Sequence, residues 1–194
     1  MYAINTPRRL KGGSFVTFIL LLLVLAAAGI AVDYRMSMPG TSLVDRLDAK
    51  PVVLDMDRLS GSETQADVKN LYHHLDYTCT PETNPLGDEV CWAPVSEFNG
   101  IDARILAFFF DAGELSAVRV SFEAKQQPKV RAQMERRFGE ARAFGKRTDA
   151  FGNNVVGWMR PAGFIATNDS LSGDEESLLL WLSTEKVLSG RPGR

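Results

Sequence analysis

The chain has 194 residues, 45% of them hydrophobic, with 22 Lys and Arg set against 24 Asp and Glu. A net charge of −2 gives no general attraction to nucleic acid, so we expect none as a partner. The length suits one ordinary domain with a real core.

The first element is an uncharged apolar run from Ser14 to Val32. Roughly 20 apolar residues in a helix span a bilayer core of about 30 Å, so the spacing predicts a transmembrane helix. Arg8, Arg9 and Lys11 precede it, and the first 32 residues hold no Asp or Glu. The positive-inside rule then keeps the N-terminus in the cytoplasm, the anchor in the inner membrane and everything after Val32 in the periplasm. A cleaved signal peptide is the competing reading, because Ala26-Ala27-Ala28 offers the small residues a signal peptidase needs. Continued apolar character through Ile30 to Val32 favours a retained anchor. A buried helix of a soluble protein would be amphipathic, and this run is not. No Cys follows the run to carry a lipid.

The expected organisation is a basic cytoplasmic tail (1–13), an anchor (14–32), a stalk (33–50), an extracytoplasmic domain (51–188) and a disordered tail (189–194). The part beyond Val32 holds 19 basic and 24 acidic residues, a balance of −5. It also holds both cysteines, Cys79 and Cys91, separated by a turn-rich loop. An even pair in an oxidising compartment reads as a disulfide. A redox pair would normally be Cys-x-x-Cys, and zinc would need two further ligands.

After a short strand at Pro51–Leu54, a helix is expected from about Gln65 to Asp76, capped by Thr64. Val68, Leu71, Tyr72 and Leu75 form its apolar stripe. Strands follow at 89–93, at 103–110 (apolar on both faces, so central) and at 115–123, where Val118, Val120 and Phe122 alternate with Arg119, Ser121 and Glu123. A second helix runs from about Pro128 to Phe138, buries Val130 and Met134, and stops at Gly139. Strands at 155–160, 163–167 and 176–183 complete the pattern. The fold class is α+β: an antiparallel sheet with helices packed on one face. The chain reads as helix–three strands twice over, with Trp92 and Trp158 each in the first strand of a unit and a proline shortly after. A tandem of two such units and two halves that merely look alike both fit this pattern.

Gly61 to Val68, the helix behind it, the Trp-bearing strand and Leu106-Ala107-Phe108-Phe109-Phe110-Asp111-Ala112-Gly113-Glu114-Leu115 resemble the small SmpA/OmlA-type envelope domains. The resemblance covers about 60 residues. It implies a non-catalytic domain of outer-membrane assembly machinery, on a two-helix, three-strand plan shared with the tandem-repeat β-lactamase-inhibitor fold. This chain differs in lacking the lipid-attachment Cys and in carrying an inner-membrane-like anchor.

Chemistry-bearing motifs are few. His73 and His74 are the only histidines. Neighbours in a helix point about 100° apart, which rules out the i, i+4 pair that metals favour. No Ser sits in a nucleophile elbow and no Gly-rich loop joins a strand to a helix. Asn168 to Glu176 reads as a solvated acidic hairpin loop; a calcium loop would need Glu where Leu179 stands. We expect no catalytic residues, no metal and no cofactor. From Lys125 to Arg147 there are eight cations and two acids. Lys129, Arg131, Arg136, Arg137, Arg142, Lys146 and Arg147 are therefore candidates for a patch that meets an anionic envelope component or an acidic protein. A solvated helix face is the alternative.

The sequence thus points to a membrane-anchored, non-catalytic binding or scaffold domain of the bacterial envelope, its partner an envelope protein or an anionic component. Any exposed aromatics among Trp92, Phe108, Phe110, Trp158 and Trp181 would make contacts, most of the five being expected in the core. Alternatives are a lipid or small-molecule carrier, an enzyme with a pocket between sheet and helices, and a structural subunit of an inner-membrane complex.

Overall fold

The structure, a computed structural model, describes residues 48–148, 154–169, 171 and 176–189. The apolar run 14–32, its cationic flank, the stalk up to residue 47 and the tail from 190 lie outside the described residues. Among the described residues no helix is long and apolar enough to cross a membrane.

The fold is α+β with a mixed sheet. Its elements are β1 (Lys50–Val52), α1 (Gln65–Leu71), β2 (Thr78–Asn84), β3 (Gly87–Phe98), β4 (Ile101–Asp102), β5 (Ile105–Asp111) and β6 (Glu114–Phe122). They continue with α2 (Gln127–Phe138), β7 (Arg142–Thr148), β8 (Asn154–Arg160), β9 (Gly163–Asn168), β10 (Ser177–Ser183) and α3 (Thr184–Ser189). The main sheet runs β2-β3-β5-β6-β10-β9-β8-β7. All its pairs are antiparallel, but β1 adds to β3 in parallel, so the sheet is not the purely antiparallel one expected. β1 also takes in Lys50, the last residue assigned to the stalk.

Each half is one helix followed by a four-stranded meander, and the halves join through their last strands, β6 and β10. The sequence pattern suggests three strands per half. The fourth strand in each half, β2 and β7, is hidden by composition. β2 reads Thr-Cys-Thr-Pro-Glu-Thr-Asn, turn-rich and mostly exposed. It is held by its pairing with β3 and by an Asn84 side chain that accepts from Leu86 N at 2.7 Å in the connecting turn. β7 carries Arg142, Lys146 and Arg147 among seven residues and lies at the opposite edge.

Thr64 caps α1 through a reciprocal box. Its backbone N donates to Asp67 Oδ2 at 2.9 Å, and its hydroxyl accepts from Asp67 N at 3.3 Å. The Thr64 hydroxyl, and then its N–H, hold the Asp67 carboxyl below its ordinary pKa. The helix is shorter than its apolar stripe suggests. Tyr72 leaves helical geometry (φ −118°, ψ 40°) and stacks on Phe108 at 5.8 Å between centroids. That turn carries Leu75 into the core but leaves Leu71, assigned to the stripe, 65% exposed. α2 has the expected extent, and Gly139 ends it at φ 82°, open to glycine but strained for other residues.

Register explains which residues make the core, because directly opposed residues share a face. One row runs Cys79, Cys91, Phe108, Val118, Trp181, Ile165 and Trp158. The five from Phe108 to Trp158 are at most 4% exposed. Val68 of α1 and Val130 and Met134 of α2 belong to the same core cluster. Both helices therefore bury their apolar residues against one side of the sheet.

Candidate functional site

The opposite side of the sheet is also apolar. Two rows cross it: Val90, Phe109, Ala117, Leu182, Phe164 and Met159, then Trp92, Ala107, Arg119, Leu180, Ala166 and Gly157. Val90, Ala107, Phe109 and Ala117 form a second, smaller core cluster, packed among the described residues by Leu86, Trp92, Leu180 and Leu182. Those four are sheet or hairpin residues, all half-buried. Neither α1 nor α2 supplies a residue to this cluster. Met159 is 60% exposed. Arg119 is the charged residue in the middle, its guanidinium 5.6 Å from the Phe109 ring centroid. Gly157 lies beneath Phe164: a Cβ added there would come within 2.8 Å of the ring.

A groove of about 270 Å³ opens where this face meets the β3 edge. β2 ends its pairing at Trp92 and β1 begins at Val95, so among the described residues no strand covers the stretch between. Val95 N donates to Arg104 O on the β5 side at 3.0 Å. Backbone alternation turns the nitrogen of Pro94 to the other edge, where it has no N–H to offer a neighbouring strand. Trp92 and Pro94 line the groove together with Thr78, Leu75 and Asp48. Lys50 and Asp76, paired at 3.3 Å, complete the wall.

Cys79 and Cys91 are disulfide-bonded directly across the β2–β3 pair. Gln65 Nε2 donates to Glu89 Oε1 at 2.7 Å and reaches Cys91 Sγ at 3.0 Å, which ties α1 to the bridged hairpin.

Two of the basic candidates have acidic partners. Arg131 pairs with Glu135 at 3.0 Å and with Asp169, and the Glu135 carboxylate, ahead of Asp169, raises its pKa. Arg137 pairs with Asp55 and, at 3.6 Å, with Asp57, which also takes Arg160 at 2.7 Å. Lys129, Arg136 and Arg142 are exposed. The side chains of Lys146 and Arg147 lie outside the described residues, as do five residues of the acidic loop 168–176. His73 and His74 are exposed on the turn after α1. Among the described residues no group of three His, Cys, Asp or Glu could hold a metal ion.

No family model, no curated protein and no solved structure matches this chain. Of the five aromatics proposed for contacts, Phe108, Phe110, Trp158 and Trp181 are core, and Trp92 alone is half-buried on the open side. Sequence reasoning passed over Phe109, Phe164, Leu180 and Leu182 as site residues. The alternation of Leu178, Leu180 and Leu182 with Leu179 and Trp181 was the available signal: a strand apolar on both faces needs cover on both.

Proposed function

We propose that this chain is a membrane-anchored, extracytoplasmic binding or scaffold domain of the bacterial cell envelope, non-catalytic, which seats a partner protein on its open sheet face. The observation that carries the reading is the second apolar side of the sheet, with its own cluster and no contribution from α1 or α2. The cluster itself is buried, but the exposed Met159 and the half-buried Trp92, Phe164, Leu180 and Leu182 beside it leave apolar surface on a rigid sheet, which gains free energy when a partner covers it. The anchor read from residues 14–32 and the Cys79–Cys91 bridge support the setting, since disulfides persist in oxidising compartments. The resemblance to SmpA/OmlA-type domains adds an envelope setting and says nothing of the partner.

The test uses the full-length chain, tagged and expressed in a bacterial envelope. Met159→Glu and Leu180→Glu place a charge on the open face, Met159 being a largely exposed site where stability changes little. Both should abolish co-purification of a discrete envelope protein that the parent chain retains. Retention by both variants sinks the proposal.

A further inference from the structure

We propose that the groove at the β3 edge binds one pyranose ring of a saccharide, stacked on the Trp92 indole. The groove borders the open sheet face and shares Trp92 with it, but the proposal does not depend on the partner-binding reading.

The lining has the two kinds of surface that a sugar ring presents. A pyranose offers an apolar face of C–H bonds and a rim of hydroxyls that both donate and accept. Trp92 is the half-buried tryptophan, whereas Trp158 and Trp181 are 4% and 0% exposed. Its aromatic face suits C–H groups, which carry partial positive charge toward the π cloud. Pro94 and Leu75 extend the apolar wall. The polar rim mixes signs: Lys50 Nζ donates, the Asp48 and Asp76 carboxylates accept, and the Thr78 hydroxyl does both. A simple cation site would lack Lys50, and a phosphate site would lack the two carboxylates. Lys50 and Asp76 are 46% and 81% exposed, so their mutual pairing is easily exchanged for hydroxyl contacts. At about 270 Å³ the space lies just under the range of drug-sized pockets and fits a single ring. The backbone keeps it open, because Pro94 cannot pair with an extended β1 or β2.

The probe is tri-N-acetylchitotriose, added to the full chain in micelles of a detergent without a sugar headgroup. Saturation-transfer NMR and tryptophan emission provide the readouts. We expect saturable binding, strongest saturation transfer to the C–H protons of one ring, and protection of Trp92 from acrylamide. Trp92→Ala should weaken binding by about tenfold or more, given what one aromatic contact contributes. Asp76→Asn and Thr78→Val alter exposed rim positions without touching the core, so they should weaken it while leaving the unfolding midpoint in place. The N-acetylglucosamine monosaccharide separates sources: equal affinity means a free sugar, and a gain with the trimer means a glycan chain. The proposal is overturned if the trimer shows no saturable binding, if Trp92→Ala and both rim variants bind like the parent, or if spermidine saturates the groove and chitotriose does not.

Discussion

Trp181 of β10 lies directly opposite Val118 of β6 across the seam that joins the two meanders. Both side chains are fully buried, and Trp181 is the largest such residue in the core. The seam is where the last strand of each half completes the other's sheet, so neither half ends in a free edge there.

Trp181→Ala should therefore cost about 3–5 kcal/mol, the range for deleting a large buried aromatic. Urea unfolding of the variant checks the size of the loss. In the parent chain, far-ultraviolet circular dichroism and tryptophan emission should follow one coincident transition, because β6 and β10 share a ladder. Two separated transitions would mean that the halves fold independently.

The disulfide closes a separation of 12 residues, which the chain-entropy picture values at about 3 kcal/mol. Replacing both Cys79 and Cys91 by Ala should lower stability by about that amount. In the native chain neither cysteine should take up a thiol reagent until a reductant is added.

Two tyrosines should titrate late. Burial pushes the phenol of Tyr72 up, with smaller contributions from Asp55 and Glu63, and burial pushes Tyr77 up further. A raised folded-state pKa of a phenol favours the neutral form. Its stabilising contribution is therefore complete below the unfolded value near 10 and is lost as pH rises through the folded value. With Tyr2 and Tyr34 changed to Phe, the ultraviolet phenolate absorbance should appear only together with unfolding. Titration of both groups at their ordinary pKa in a folded chain would contradict their burial.

Arg137 and Asp55 join α2 to the turn that follows β1, and Asp57 links the same turn to Arg160 of β8. Arg137 stays 36% and Asp55 37% exposed, so solvent screens the pair. Arg137→Ala should cost under about 1 kcal/mol, and the loss should shrink at high salt. The sequence counts charges, and folding brings the distant acids Asp169 and Asp55 to Arg131 and Arg137 of the basic run.

Much of the architecture was legible in residue patterns. Val118, Val120 and Phe122 alternate as a strand over a covered core must, and Thr64, Pro128 and Gly139 mark helix ends by their own chemistry. What stayed hidden depends on partners far along the chain. β2 forms because β3 pairs with it, despite Pro81 and an exposed, polar composition. Leu71 lies on the apolar stripe of α1 but is left outside when Tyr72 turns toward Phe108. The open face is spread over six strands, so no local window reveals it. Only the register aligns Val90, Phe109, Leu182 and Met159 in one row.

The most direct test of the binding role is photocrosslinking in living bacteria from two sites of the full-length chain. One probe replaces Met159 on the open sheet face; the other replaces Lys129, exposed on α2 of the covered side. The account predicts that the Met159 probe yields one discrete adduct with an envelope protein, lost when Leu180→Glu is added, while the Lys129 probe yields none. An adduct from Lys129 alone, or from neither position, would contradict it.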